Sequence, residues 1–305
     1  MPLQLPKLIA TSVVRGSEQG ESHGGVYTID FENQTSEQHI DWNSSDIDWE
    51  GRGADRGLRG IAFDGDEIYI AASDELFCFD RNFNLQHSRR NRYLKHCHEI
   101  CRMGRKLLLT STGHDSLLAY DLDEKAFTWG FHLQKIADEW SGFTFDPRRD
   151  SGPAKHNEHH INMVHVDSNG IFLSGLRTNA LLHLTHDHKV QVVCSLPAGT
   201  HNARPYRDGV IFNDTVSDHV RFVSRERGQR SFKIKHYASD EIHFAGIDDS
   251  KIARQAFGRG LCVYEDRLLI GGSSPSTISL YDIVSGDTIG SVNMTMDIRN
   301  AIHGL

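Results

Sequence analysis

Residues 259–282 read Arg259-Gly-Leu-Cys-Val-Tyr-Glu-Asp-Arg-Leu-Leu-Ile-Gly-Gly-Ser-Ser-Pro-Ser-Thr-Ile-Ser-Leu-Tyr-Asp282, and the rest of the chain repeats their plan. A polar leader residue opens the unit. The apolar run Leu268-Leu-Ile-Gly follows, and a turn leads into a second run, Ile278-Ser-Leu-Tyr-Asp282. Arg59-Gly-Ile precedes Ile68-Tyr-Ile-Ala and Leu76-Phe-Cys-Phe-Asp80, and His98-Glu-Ile precedes Leu107-Leu-Leu-Thr and Leu117-Leu-Ala-Tyr-Asp121. His160-Ile-Asn precedes Ile171-Phe-Leu-Ser and Leu181-Leu-His-Leu-Thr185, and His201-Asn-Ala precedes Val210-Ile-Phe-Asn and Val220-Arg-Phe-Val-Ser224. The step from leader to first run is constant except after His160, where it is two residues longer.

The N-terminus carries the two runs without a leader, as Leu8-Ile-Ala-Thr-Ser and Val26-Tyr-Thr-Ile-Asp30. The C-terminus carries a leader without the runs, Asn300-Ala-Ile-His-Gly-Leu305. The two ends together make a sixth unit. Short strands rich in β-branched and aromatic residues, bounded by turns such as Asp64-Gly-Asp, Asn169-Gly and Asp208-Gly, repeat every 40 to 60 residues or so, the pattern of propeller blades. The expectation is an all-β, six-bladed β-propeller forming one domain over residues 1–305, closed by the C-terminal strand joining the N-terminal blade. Segment 132–158 is expected to hold a helical turn and a loop between blades. Segments 42–56 and 236–256 are further insertions.

A chain of 305 residues with 38% hydrophobic and 24% charged residues fits a single large all-β unit. A net charge of -8 without a basic run argues against nucleic acid as a partner. The absence of a long apolar stretch or a leader-like N-terminus argues against a membrane and for a cytoplasmic setting. Five cysteines spread over separate units make a poor disulfide framework, so Cys78, Cys97, Cys101, Cys194 and Cys262 are expected as reduced, mostly buried fillers.

Most of the 19 histidines, His87 and His132 among them, fall in outer strands, turns or loops and carry little functional weight. Those at the leader position differ, because the overlay assigns them one location in every blade, where the innermost strand begins. His98, His160 and His201 come from consecutive units. Three imidazoles suit a divalent transition metal (iron, zinc or manganese) and leave coordination positions open. His303 is a fourth ligand or a catalytic proton carrier. Glu99 is the other candidate catalytic group. Arg59 and Arg259 can grip an anion, with Arg204, Asn202, Arg299 and Arg56 as neighbours that add to the grip. Asn162 and Asn202 can orient imidazoles, and His159 or Asn162 competes with His160 for the leader position. A solvated channel mouth without a ligand is the plain alternative. Asp46, Asp48 and Glu50 could bind a cation but read better as a solvated loop.

The overlaid units resemble the six-bladed propellers of the gluconolactonase and senescence-marker group and of the NHL-repeat proteins, a distant likeness over the whole chain. Those resemblances imply a site on the propeller axis. That group binds its divalent ion with carboxylates and asparagines, whereas this chain offers mainly histidines, which points away from calcium-type lactonase chemistry. In kind, the leader histidines resemble the His-ligated iron or manganese of the carotenoid-cleaving oxygenases and of oligogalacturonate lyase, which have seven blades. The stretch Gly51-Arg-Gly-Ala-Asp-Arg-Gly-Leu-Arg-Gly-Ile-Ala-Phe63 is similar to uncharacterised bacterial propeller proteins. The resulting expectation is a metal-dependent hydrolase or lyase acting on a small anionic molecule. A non-haem iron oxygenase and a non-catalytic interaction scaffold are the alternatives.

Overall fold

The computed structural model describes residues 5–18, 20–43, 57–246 and 253–305. The strands form six sheets, the blades of a six-bladed β-propeller. The first sheet orders its strands β25-β1-β2-β3, where β1 is Lys7–Val14, β2 Gly25–Asp30, β3 Thr35–Asp41 and β25 Asn300–Gly304. The second comprises β4 (Leu58–Asp64), β5 (Glu67–Ala72), β6 (Glu75–Phe79) and β7 (Leu85–Arg90). The third runs from β8 (Ile100–Met103) through β9 (Lys106–Ser111), β10 (Ser116–Asp121) and β11 (Ala126–Ile136) to β12 (Glu139–Phe145). β13 (Ile161–Asp167), β14 (Gly170–Gly175), β15 (Ala180–Leu184) and β16 (Val190–Ser195) make the fourth. β17 (Thr200–Tyr206), β18 (Gly209–Asp214), β19 (His219–Ser224) and β20 (Gln229–Lys233) make the fifth. The sixth holds β21 (Arg259–Tyr264), β22 (Leu268–Ser273), β23 (Thr277–Asp282) and β24 (Thr288–Asn293).

The apolar runs of the repeat are the second and third strands of each blade. β9, β10, β22 and β23 are buried almost end to end, which is why they lack an apolar–polar alternation. The outermost strands, such as β3 with Thr35-Ser-Glu-Gln-His-Ile-Asp41, are exposed and polar, which blunts an edge that would otherwise invite pairing.

By contacts the chain divides into two compact units, Met1–Arg59 with Phe212–Leu305, and Gly60–Ile211. The first unit contains a core of Ala10, Ile29, Ile270, Leu280 and Ile302. Here β25 pairs with β1 through Asn300↔Val14, Ala301↔Val13, Ile302↔Ser12 and Gly304↔Thr11, so both ends of the chain share one blade, as expected. His303 is the extra residue of the bulge. Gly304 N donates to Thr11 Oγ1 (2.9 Å), whose hydroxyl donates to Arg59 O (2.5 Å). The second unit contains a core around Tyr69, Leu107 and Tyr120 and another around Leu108, Phe131 and Leu173.

The expected helical turn in 132–158 is replaced by strand. β11 continues to Ile136 and turns through Ala137 and Asp138, both at positive φ, into β12, giving this blade a fifth strand. The period-2 series Phe127, Trp129, Phe131, Leu133 was the signal, and it packs Phe131 and Leu133 fully inside. Among the described residues helix is confined to the 3-10 turn Thr112–His114, and no helix is long and apolar enough to cross a membrane. Arg56 and the Asp46, Asp48 and Glu50 loop lie outside the described residues, as does most of the 42–56 insertion.

Candidate functional site

The leader residues sit where each innermost strand begins. In the unit Gly60–Ile211, Ile100 of β8 pairs with Leu109, so His98 and Glu99 stand just before the strand. Both of their N–H groups donate to Thr110 Oγ1 at 3.0 Å, and Thr110 N donates to Glu99 O at 3.1 Å. This side-chain oxygen takes the place of a ladder partner and holds the leader at the sheet's end.

Three imidazoles share one hydrogen-bond habit. His98 Nδ1 lies 2.7 Å from His96 O and 2.8 Å from Thr112 Oγ1, and the Thr112 hydroxyl donates to Ile161 O at 2.5 Å. A carbonyl can only accept, and the Thr112 proton is already committed, so Nδ1 carries the hydrogen. His201 Nδ1 meets Gly199 O at 3.0 Å, and His160 Nδ1 meets Asn157 Oδ1 at 3.1 Å. Each ring thereby spends Nδ1 on an oxygen acceptor and keeps Nε2 as its second nitrogen.

The register relocates the fourth blade's leader. Ile161 pairs with Gly175 and Met163 with Ser174, so Asn162, 2% exposed, fills the bulge and donates to Thr200 O at 3.3 Å. His160 stands before the strand in the left-handed region (φ 54°), which absorbs the extra length of this unit. The carboxylate of buried Asp115 accepts from the N–H groups of Glu158 (2.6 Å), His159 (2.9 Å) and His160 (2.9 Å). This clamp leaves the His160 ring 5.2 Å from that of His98, at 65° between planes. His159 instead packs edge-on against Trp140 at 4.9 Å.

Glu99 accepts from Ile100 N at 3.1 Å through Oε1 and from Asn202 Nδ2 at 3.4 Å through Oε2. Burial pushes its carboxyl pKa up to about 7, against the opposing pull of these hydrogen bonds and of the Arg204 charge. Asn202 and Arg204, expected to hold substrate, thus have Glu99 as their shared partner. Gly60 makes room for this arrangement, since a Cβ there would come 2.5 Å from Ile100 N and 2.8 Å from Glu99 Cα.

In the other unit, Arg259 is buried with its guanidinium 3.8 Å from the Phe257 ring centre, and Arg254 and Arg15 approach the same ring at 5.2 and 5.5 Å. Burial first, then the like charges of Arg15, Arg59 and Arg254, push the Arg259 pKa well down. Among the described residues Arg259 has no carboxylate partner, whereas Arg254 is paired with Asp218 at 2.5 Å. Arg299 does not add to it: Asp297 holds it in a bidentate pair, and its guanidinium lies 4.1 Å from the Phe244 ring centre. His303 is buried in the β25 bulge, and its carbonyl lies 2.9 Å from where a Cβ on Gly260 (φ 68°) would stand. Asp115 and Phe257 carry no mark of these roles in the sequence. A Gly-His-Asp-Ser turn and a lone Phe are too common to single out.

No known family model matches this chain, and no curated protein matches its sequence. Solved structures similar to it include a chain of a nidogen/laminin complex, with a TM-score of 0.58 and 8% identity over 98% of this chain and 97% of that one. Virginiamycin B lyase from Staphylococcus aureus is similar with a TM-score of 0.49 and 12% identity, over 79% of this chain and 71% of that one. AztD from Citrobacter koseri has a TM-score of 0.48 and 11% identity, over 94% of this chain and 83% of that one. At 8% identity the likeness to the nidogen/laminin chain speaks to the fold alone.

Proposed function

We propose that the chain is a metal-dependent enzyme that acts on a small anionic substrate by hydrolysis or elimination. The observation that carries this reading is the shared anchoring of His98, His160 and His201, each with Nδ1 tied to an oxygen acceptor. Metal-ligating histidines are oriented in this way, with the second nitrogen presented to the ion. A divalent iron, zinc or manganese ion held by these rings would polarise a substrate carbonyl or acidify water.

The remaining groups have roles of their own. Glu99, with its carboxyl pKa near 7, holds or releases a proton at neutral pH, and Asn202 fixes its orientation. His303 is the second proton carrier. Arg59 and Arg259 supply fixed positive charge for the anionic group of the substrate, and burial strengthens that attraction by keeping water away from Arg259.

Elemental analysis of protein purified without a histidine tag tests the reading. The wild type should carry a transition metal, and His98→Ala and His201→Ala should each lose about one equivalent while staying folded. Metal-free wild-type protein, or variants that unfold with their metal content intact, would overturn it.

A further inference from the structure

We infer that Glu67, Cys78 and His87 form a separate, sulfur-containing cation site that takes Zn²⁺ or another thiophilic divalent ion. The three side chains lie on one face of a single blade. Cys78 of β6 pairs with Tyr69 of β5 on one side and with His87 of β7 on the other, and Glu67 stands two residues before Tyr69 on β5. Residues opposite one another across a sheet, or two apart on a strand, share a face. The carboxylate oxygen, the sulfur and an imidazole nitrogen accordingly all lie within 4.8 Å of one another. Bonds of about 2.0 to 2.3 Å to one tetrahedral ion set donors roughly 3.5 Å apart, so small side-chain rotations complete the site.

A second observation points to a ligand. Both ring nitrogens of His87 are shielded from solvent and have no hydrogen-bond partner among the described residues, and the Tyr120 hydroxyl is in the same position. Buried polar atoms are rarely left so. Neighbouring groups favour the ion. The Tyr69 hydroxyl donates to Glu67 Oε2 at 2.8 Å and aims the carboxylate. Cys78 is fully buried and stays a thiol by itself. As the sulfur–metal bond forms, its proton leaves to solvent, and no oxidant or reductant takes part. A mixed sulfur, nitrogen and oxygen set selects zinc-like ions over calcium or magnesium. Spanning three adjacent strands, the ion ties the outer part of this blade together. The leader histidines include no sulfur, so this site stands independently of the function proposed above.

Cobalt distinguishes the two. The metal-stripped full chain, kept reduced with a phosphine, should develop a near-ultraviolet sulfur-to-cobalt charge-transfer band on titration with Co²⁺, and equimolar Zn²⁺ should bleach it. Cys78→Ser should abolish the band. Glu67→Gln and His87→Gln, which leave the thiol in place, should weaken Co²⁺ binding at this band by about tenfold or more. His98→Ala should leave the band untouched. A wild-type titration without the band, a band that survives Cys78→Ser, or a band lost in His98→Ala would each overturn the inference.

Discussion

The rings of His98 and His160 stand edge to face at 5.2 Å, and each is steered there by a residue outside the histidine set. Thr112 takes the Nδ1–H of His98, and Asp115 gathers the backbone that carries His160.

Asp115→Ala should therefore disturb both fold and site. It strips three backbone N–H groups of a buried carboxylate partner, a loss of about 3 kcal/mol or more. Denaturant melts measure that cost. Metal competition on the folded fraction should show at least about tenfold weaker binding, and unchanged affinity would remove His160 from the ligand set.

Gly60→Ala should destabilise without touching any ligand. The added methyl meets backbone atoms of Glu99 and Ile100 that cannot swing aside, and overpacking of this kind costs about 1 to 3 kcal/mol. A midpoint equal to wild type would show that the backbone at Gly60 and that at Glu99 part easily.

Arg259→Met should raise stability and abolish anion binding at once. The substitution removes a buried charge among like charges and nearly keeps the side-chain volume, so the denaturation midpoint should rise. Phosphate should raise the melting temperature of the wild type and leave that of the variant unmoved. If both respond alike, the anion binds elsewhere.

Stability should fall between pH 7 and pH 5. Burial lowers the pKa of His23, His114, His132 and His165, the last to about 4. Unfolded imidazoles take up protons near 6.5, so the folded state's advantage is complete above that pH and is lost as pH drops towards the folded values. Glu99 works the other way, its contribution being complete below about 4.5 and lost as pH rises through about 7. Its shift is similar in size to that of His165 and nearly cancels it, which leaves the other histidines to set the sign, His87 and His159 being lowered by burial as well. Chemical denaturation should show lower stability at pH 5 than at pH 7, and a flat profile would contradict it.

The repeat made the blades legible because Leu107-Leu-Leu and Leu268-Leu-Ile announce buried strands wherever they occur. The union of Asn300–Gly304 with Lys7–Val14 followed from counting what each end lacked. Fine register did not follow. The bulges at Asn162 and His303 fall at different rungs of their ladders, and an overlay by spacing alone cannot see an extra residue that pairs with nothing. The Glu67, Cys78 and His87 group was equally hidden, since its members lie on three strands and only cross-strand register brings them to one face. Asp115 acts through backbone N–H groups some 45 positions away, and such reach leaves no local mark in the sequence.

Joining both ends in one blade also governs how the protein can be made. During synthesis β1 emerges long before its partner and keeps a bare inner flank until residues 300–304 have been translated. Throughout that interval Val13 and Val14 offer unsatisfied backbone groups to any passing strand, including one from another nascent copy. This blade therefore completes its pairing only once residues 300–304 have been made.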